Sequence, residues 1–267
     1  MKNLVKAGLI LAAWVTGTPA WASFSNCPTV TPVTLAVINS NVPAGCQQID
    51  VQFTNFAVGT LAPGTVIDGL TLPASTVTIP TASDITLLAQ GTAGPPPSNV
   101  GVSLNDPAGS TNPWFISGKN QVLVSTTTYT AQVDPSSAYL LNQISLSGTV
   151  TSHANQTTSV VFEEVCLGVA TFNCTSSDPN YLVLRIGVIQ GNNISLTQTV
   201  NASFLATNLL AIRDTVFLQT MNGQGSDATA SQVTGFAPTQ VIPEPSTSIL
   251  LGTALAGLGF LRYRRKK

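Results

Sequence analysis

The chain has little charge and almost no imidazole. Asp, Glu, Lys and Arg make up 8% of its 267 residues, and its one His is His153. A single His leaves zinc without its common partners, and the Cys-x-x-Cys spacing of structural zinc sites is missing, so no metal centre is expected. His153 sits in the polar run Thr151-Ser152-His153-Ala154-Asn155, which reads as a solvated loop. Serine and aspartate are plentiful, yet no Gly-x-Ser-x-Gly elbow frames a nucleophile, and neither an EF-hand nor an Asp-rich repeat offers a calcium loop. Glu163 and Glu164 fail as a glycosidase pair because successive strand residues point to opposite faces. One is expected in solvent, the other at an edge or beside a cation such as Arg185. No catalytic residue and no cofactor is assigned, and enzymatic activity is not expected.

The cations are also unevenly placed. Lys2 and Lys6 lie near the start, and Arg262, Arg264, Arg265, Lys266 and Lys267 at the end. Residues 23–242 keep only Lys119, Arg185 and Arg213 against ten carboxylates, a net charge of −7. Such a surface cannot neutralise a row of phosphates, which excludes nucleic acid as a partner. Hydroxyls replace charge: these 220 residues hold 31 Thr and 22 Ser, mixed with Val, Ile, Leu and Phe. That mixture favours strands with one dry and one wet face and supplies too much aliphatic material for a disordered chain.

The patterning agrees. Ile49-Asp50-Val51-Gln52-Phe53-Thr54 alternates strictly, placing Ile49, Val51 and Phe53 on one face. Ile144, Leu146, Gly148 and Val150 alternate with Ser145, Ser147 and Thr149, and Val122 and Val124 open a Thr-rich strand toward Tyr129. The apolar run from Tyr181 to Ile189 predicts a central strand covered on both sides, with a hairpin turn at Gly191-Asn192-Asn193. No helix is expected before the C-terminal tail, and Ala202 to Met221 is read as strand. Gly94-Pro95-Pro96-Pro97, Asn105-Asp106-Pro107 and Asp178-Pro179-Asn180 mark loops. The expectation is all-β: one β-sandwich or jelly-roll-like domain, with two smaller sandwiches as the alternative.

Four cysteines allow three pairings, and local pairing predicts Cys27 with Cys46 and Cys166 with Cys174. Four Asn-x-Ser/Thr triplets, at Asn155, Asn173, Asn193 and Asn201, are frequent enough by chance in so Thr-rich a chain to carry little weight. O-linked sugar on the Thr-rich stretches is the stronger expectation.

The two ends read as targeting signals. Lys2 and Lys6 precede an apolar stretch from Ala7 to Val15, and Ala20 and Ala22 supply the small residues a signal peptidase reads, which predicts cleavage before Ser23. At the other end Pro243-Glu244-Pro245 leads into an apolar run from Ile249 to Leu261 and the five terminal cations. Counted from Thr247, that run is a helix of about 22 Å against a hydrocarbon core of about 30 Å, which suits transient residence in the inner membrane. An uncleaved anchor is the alternative. The cations would stay cytoplasmic, leaving the Pro-Glu-Pro box on the far side. The division is a signal peptide over 1–22, a β-rich ectodomain over 23–237, a linker with the box over 238–245, and a hydrophobic helix with basic tail over 246–267.

This ending resembles the PEP-CTERM sorting tail of Gram-negative envelope proteins. The resemblance implies cleavage near the box by an exosortase, a membrane-embedded cysteine protease, and delivery to the outer surface or extracellular matrix. The segments Cys46–Phe56, Glu163–Cys166, Arg213–Asp214 and Ser231–Phe236 look like a recurrent cargo type with the same tail, which carries over no functional residue. The expected role is a non-enzymatic surface or matrix protein associated with exopolysaccharide in a biofilm. The alternative is a carbohydrate-binding module or adhesin, with Trp114 and Tyr129 as the candidate glycan contacts and Phe115 and Tyr139 nearby; against it, Trp114 and Phe115 simply cap the core.

Overall fold

Strands with one apolar face need a second apolar face to close upon, and here two antiparallel sheets supply it. The computed structural model describes residues 24–90, 100–104, 112–135, 137, 139–152, 157–191, 194–221, 230–237 and 243–245. In chain order come β1 (Val33–Thr34), helix α1 (Leu35–Ser40), β2 (Cys46–Gln48), β3 (Val51–Gly59), β4 (Val66–Ile67), β5 (Leu70–Thr71), β6 (Thr86–Gln90), β7 (Gly101–Leu104) and β8 (Phe115–Ser117). Then follow β9 (Val122–Val133), β10 (Tyr139–Ser152), β11 (Thr157–Leu167), β12 (Tyr181–Gly191), β13 (Ile194–Thr207), β14 (Leu209–Gln219), β15 (Ala230–Ala237) and β16 (Pro243–Pro245).

One sheet has six strands in the order β12-β11-β14-β9-β3-β2. The other has eight: β1-β6-β7-β15-β10-β13, with β8 against β15 and β16 against β10. Val51, Phe53 and Val161 from the first meet Leu87, Leu104 and Ile144 from the second in the main core. A second cluster lies on the outer face of the six-stranded sheet, where Ile67 and Leu72 of the β4–β5 hairpin region pack with Val124, Val160, Phe162 and Phe217. The all-β expectation is met. The expected signal peptide and terminal helix lie outside the described residues, as do His153, Asn155, Asn193 and the loops at 94–97 and 105–107. Among the described residues no helix is long and apolar enough to cross a membrane.

Several local expectations are corrected. Ile49 leaves the β3 face: it sits at φ 56 in the turn between β2 and β3, 45% exposed, because Asp50 and Ile49 form the connection that turns the chain back on itself. The strand buried on both faces is β11, from Thr157 to Cys166, rather than β12, which ends the sheet with Arg185 in solvent. The two faces of β11 explain its lack of apolar/polar alternation: the main core takes one and the β4–β5 layer the other. β12 and β13 form no hairpin ladder. β12 pairs with β11 and β13 with β10, so the chain changes sheets between β12 and β13 and returns through Asn208 to β14. The helical turn α1 was not legible; it buries Leu35 and Ile38 at one end of the core.

Gly187 marks where this corner is tight. Its φ is +139, and a Cβ there would stand 2.3 Å from the Ser159 carbonyl oxygen of β11. Gly59 has an ordinary φ, and its Cβ would meet only Thr126 Oγ1, at 3.5 Å. Gly187→Ala is therefore expected to cost more than about 1 kcal/mol while Gly59→Ala changes little, a contrast that urea denaturation of the two variants measures directly.

Candidate functional site

Polar chemistry collects first on the β11–β14 ladder. Glu163 stands opposite Asp214, and Glu164 opposite Arg213. Side-chain alternation sends the first pair inward with Val161 and Val165 and the second pair outward with Phe162. On the outer side Arg213 Nε donates to Glu164 Oε2 and Nη2 to Oε1, both at 2.8 Å, and the Tyr181 hydroxyl donates to Glu164 Oε1 at 2.8 Å. The Arg213 guanidinium lies 4.2 Å over the Phe172 ring. Phe172 belongs to the loop closed by the Cys166–Cys174 disulfide, and Thr130 Oγ1 donates to Ala170 in the same loop. Burial, then the Glu164 carboxylate, holds the Tyr181 phenol above its ordinary value.

This geometry corrects the expectation for the two glutamates. Neither is solvated: Glu163 is 0% and Glu164 3% exposed, and the cation beside Glu164 is Arg213. Arg185 pairs instead with Asp68 at 2.8 Å on the surface. Glu163 and Asp214 are enclosed between the sheets. Burial raises the Asp214 carboxyl well above its ordinary value, the nearby Glu163 and Glu164 raise it further, and Tyr129 only partly opposes them. With Glu163 0% and Asp214 1% exposed, neither carboxyl faces solvent.

The aromatic residues expected to touch glycan are also internal. Trp114 is 1% exposed, its indole N–H donating to Ser125 Oγ at 3.3 Å and its backbone N–H to Asn112 Oδ1 at 3.0 Å. Tyr129 is 2% exposed and stacks on Phe56 with centroids 5.3 Å apart. Large rings that reach the core gain more there than in water, so neither offers a face to a ligand. Phe115, the next residue after Trp114, points the other way and is 45% exposed.

The surface carries a different concavity. A cleft of about 360 Å³ is lined by Thr34, Thr78, Ile79, Pro80, Ser83, Asp84, Thr86, Asn112 and Pro113. Asp84 Oδ2 accepts from the Thr81 N–H at 2.8 Å and from its hydroxyl at 2.7 Å, and these bonds hold the carboxyl below its ordinary value, so it is ionised at neutral pH. A smaller hollow of about 210 Å³ lies between Asn55, Thr128–Thr130 and the disulfide-closed loop at Ala170–Phe172. Reasoning from residue types missed the larger cleft because its walls come from three separate segments of common residues.

The C-terminal box has a place in the fold. Pro243, Glu244 and Pro245 pair antiparallel with Leu141, Leu140 and Tyr139 of β10. Both expected disulfides are present, Cys27–Cys46 tying the first described segment to β2 and Cys166–Cys174 closing its loop. Asn173 and Asn201 are exposed. Ala20, Ala22, Ser23 and the five terminal cations lie outside the described residues.

The buried pair makes stability depend on pH with a definite sign. Below the unfolded carboxyl value Asp214 is protonated in both states and contributes no slope. Above it the unfolded chain releases the proton while the folded chain keeps it, so stability falls as pH rises until the folded value is passed. The contribution of this one group approaches about 1.4 kcal/mol per pH unit within that window. Thermal unfolding between pH 4 and 8 should show Asp214→Asn with a flatter dependence and a higher melting temperature at the alkaline end; an unchanged slope would mean that another group carries it.

Comparison with known proteins bears on the C-terminal end. Residues 241–266 match the PEP-CTERM protein-sorting motif. No curated protein matches the chain. Among solved structures, TmCBM61 in complex with β-1,4-galactotriose aligns over 59% of this chain and 82% of its own, at 6% identity and a TM-score of 0.27. A structure of infectious bursal disease virus, Gx strain, aligns over 87% and 68% at 15% identity and a TM-score of 0.11. Likeness at these scores carries no argument about fold or ligand. The motif does: with a Pro-Glu-Pro box, an apolar run and a basic end in order, residues 241–266 carry the PEP-CTERM protein-sorting motif, which indicates export and sorting to the cell surface.

Proposed function

We propose that the mature protein is a non-enzymatic component of the outer cell surface or extracellular matrix, freed from its tail by an exosortase and held with extracellular polysaccharide in a biofilm. The observation that carries this reading is the sorting motif at residues 241–266. The ectodomain is consistent with it. The cross-strand acidic pair Glu163 and Asp214 is buried in the core, Glu164 and Arg213 form an ion pair under a disulfide-closed loop, and the β10–β13 surface carries hydroxyls. Cross-strand contacts such as Thr149 Oγ1 to Thr197 Oγ1 at 2.8 Å and Thr151 Oγ1 to Ser195 Oγ at 3.2 Å exemplify that surface. It offers hydrogen bonds without charge, which suits a hydrated neutral polymer. Signal peptidase acts first, before Ser23, the inner membrane holds the tail in transit, and the exosortase acts at the box.

A second reading, a carbohydrate-binding module, rests on the cleft and not on Trp114 or Tyr129. Hydroxyls of Thr34, Thr78, Ser83 and Thr86, the Asn112 amide and the ionised Asp84 supply donors and acceptors suited to a polyol.

The intact mass of protein recovered from the host's envelope and medium tests the first reading. A chain from Ser23 to near Pro243, less two hydrogens per disulfide, is expected, and any excess reports glycan or lipid. A mass that retains residues 249–267 would make the protein an anchored ectodomain and overturn exosortase processing. Pull-down on the host's own polysaccharide separates the second reading. Asp84→Asn keeps an acceptor for Thr81 but removes the charge, and about tenfold weaker retention is expected if the cleft binds sugar; equal retention would remove the cleft from consideration.

A further inference from the structure

We infer that the folded sandwich holds its own Pro-Glu-Pro box as a detachable last strand, so that the box is released to its processing enzyme only when β16 peels from β10. The inference rests on the exosortase reading above and adds to it the state of the substrate.

The register carries the argument. β15 runs antiparallel along β10 with Ala237 opposite Ser147 and Phe236 opposite Gly148. Pro243 stands opposite Leu141, six residues further along one strand and six back along the other, with Glu244 opposite Leu140 and Pro245 opposite Tyr139. β15 and β16 therefore occupy one lane beside β10 in one register. The box continues the domain's final strand.

The composition of the box decides how it is held. Residues facing each other in an antiparallel pair alternate between exchanging both N–H···O=C bonds and exchanging none. Proline has no N–H, so neither Pro243 nor Pro245 can sit in an exchanging pair. The hydrogen-bonded pair must be Leu140 with Glu244, whose N–H is the only donor in the box. Proline at every second place is what an edge strand tolerates, since the missing donors fall at positions that need none. Pairing through a single exchanging residue is also easily undone. The other side of β10 is separately occupied: Leu141 pairs there with Thr207 of β13. Losing β16 thus leaves the β10–β13 ladder intact.

An enzyme that cleaves at the box must take this stretch as extended chain and bond to its backbone. While β16 is docked, Glu244 gives its N–H and C=O to Leu140 and cannot give them to the enzyme. The geometry of the tail sharpens the conflict. Three residues separate Pro245 from Ile249, four steps and at most about 14 Å of chain, so a sandwich clamped to the box stands directly over the start of the apolar run. Undocking frees the box on both edges and lets the domain move away.

Amide exchange on the full-length protein in detergent micelles tests docking by itself. The Leu140 and Glu244 amides are expected to exchange about tenfold or more slowly than in an unstructured peptide. Unprotected exchange at Glu244, with β10 protected beyond Gln143, would overturn docking. Leu140→Pro then tests release, because it deletes the donor to Glu244 and leaves the Leu141–Thr207 pair. In the host, a pulse-chase should show the tail-bearing form of Leu140→Pro disappearing several-fold faster than that of the native chain. Unchanged or slower loss with protected exchange in the native chain would overturn the gating role. If the native tail is never removed at all, the exosortase reading fails along with the gate, while the exchange result still decides docking.

Discussion

The pairing of β11 with β14 is the constraint on which the rest of this structure depends. These two strands are interior to the six-stranded sheet, buried on both faces, and both hydrophobic clusters hang from them. Their register also sorts the charges. With Glu164 opposite Arg213, an ion pair forms outside and two carboxyls face each other inside; a slip of one residue would move the apolar set of each strand to the wrong face. Burial of the inner pair favours the protonated form of Asp214, which is cheaper to bury than the charged one. The outer pair, the Tyr181 hydroxyl and the Phe172 ring hold the central ladder in that register from one side, and the disulfide-closed loop keeps the ring there.

Much of the fold was legible where local patterning and burial agree. Ile144, Leu146 and Val150 alternate in sequence and face the core in β10, and the cysteine pairs close because each lies beside its partner in the chain. Legibility failed where tertiary context assigns the second face. The run from Tyr181 to Ile189 looks more apolar than Thr157-Thr158-Ser159-Val160, yet the latter is central, because its hydroxyls find partners inside: Ser159 Oγ donates to the Thr151 carbonyl at 2.8 Å, and Ser152 and Thr157 bond to each other. Small polar residues with internal partners bury as readily as apolar ones, and composition cannot see the partner. The change of sheet between β12 and β13 was hidden for a related reason. Gly191-Asn192-Asn193 has the chemistry of a turn, and a turn can return a strand to its own sheet or deliver it to the other.

The candidate site was legible in a different proportion. The sorting box, apolar run and basic end need no fold to be recognised, since their order along the chain is the signal. The cleft around Asp84 has no such order. Its walls are drawn from β1, the segment before β6, β6 itself and Asn112–Pro113, residues whose proximity exists only after the sheet forms. Trp114 and Tyr129 failed as surface contacts because residue type alone cannot say which side of the chain is dry. Trp114, just before β8, is buried while Phe115, the first residue of β8, is exposed, and one step along the chain exchanges core for solvent.

Low charge sets a problem that the architecture answers without charge. Exposed strand edges template aggregation, and proteins commonly block them with lysine, but residues 23–242 have only one Lys. Other devices take its place. The edge of β2 is covered by the first described segment, with Cys27 N–H donating to Gln47 at 2.9 Å, Gln47 N–H to Ser25 at 2.8 Å, and the Cys27–Cys46 disulfide preventing departure. The edges of β12 and β13, which end opposite sheets, are tied across the corner by Gly187 N–H donating to Gln198 Oε1 at 2.9 Å. Along β10, the lane that β15 occupies further on is filled at Tyr139–Leu141 by β16, a strand two-thirds proline and so a poor template for another chain. A sorting box built as Pro-Glu-Pro thus serves the exported domain as an edge cap whose outer side invites no further strand, and its removal would leave Leu140 as the place where the mature surface regains an open backbone pair.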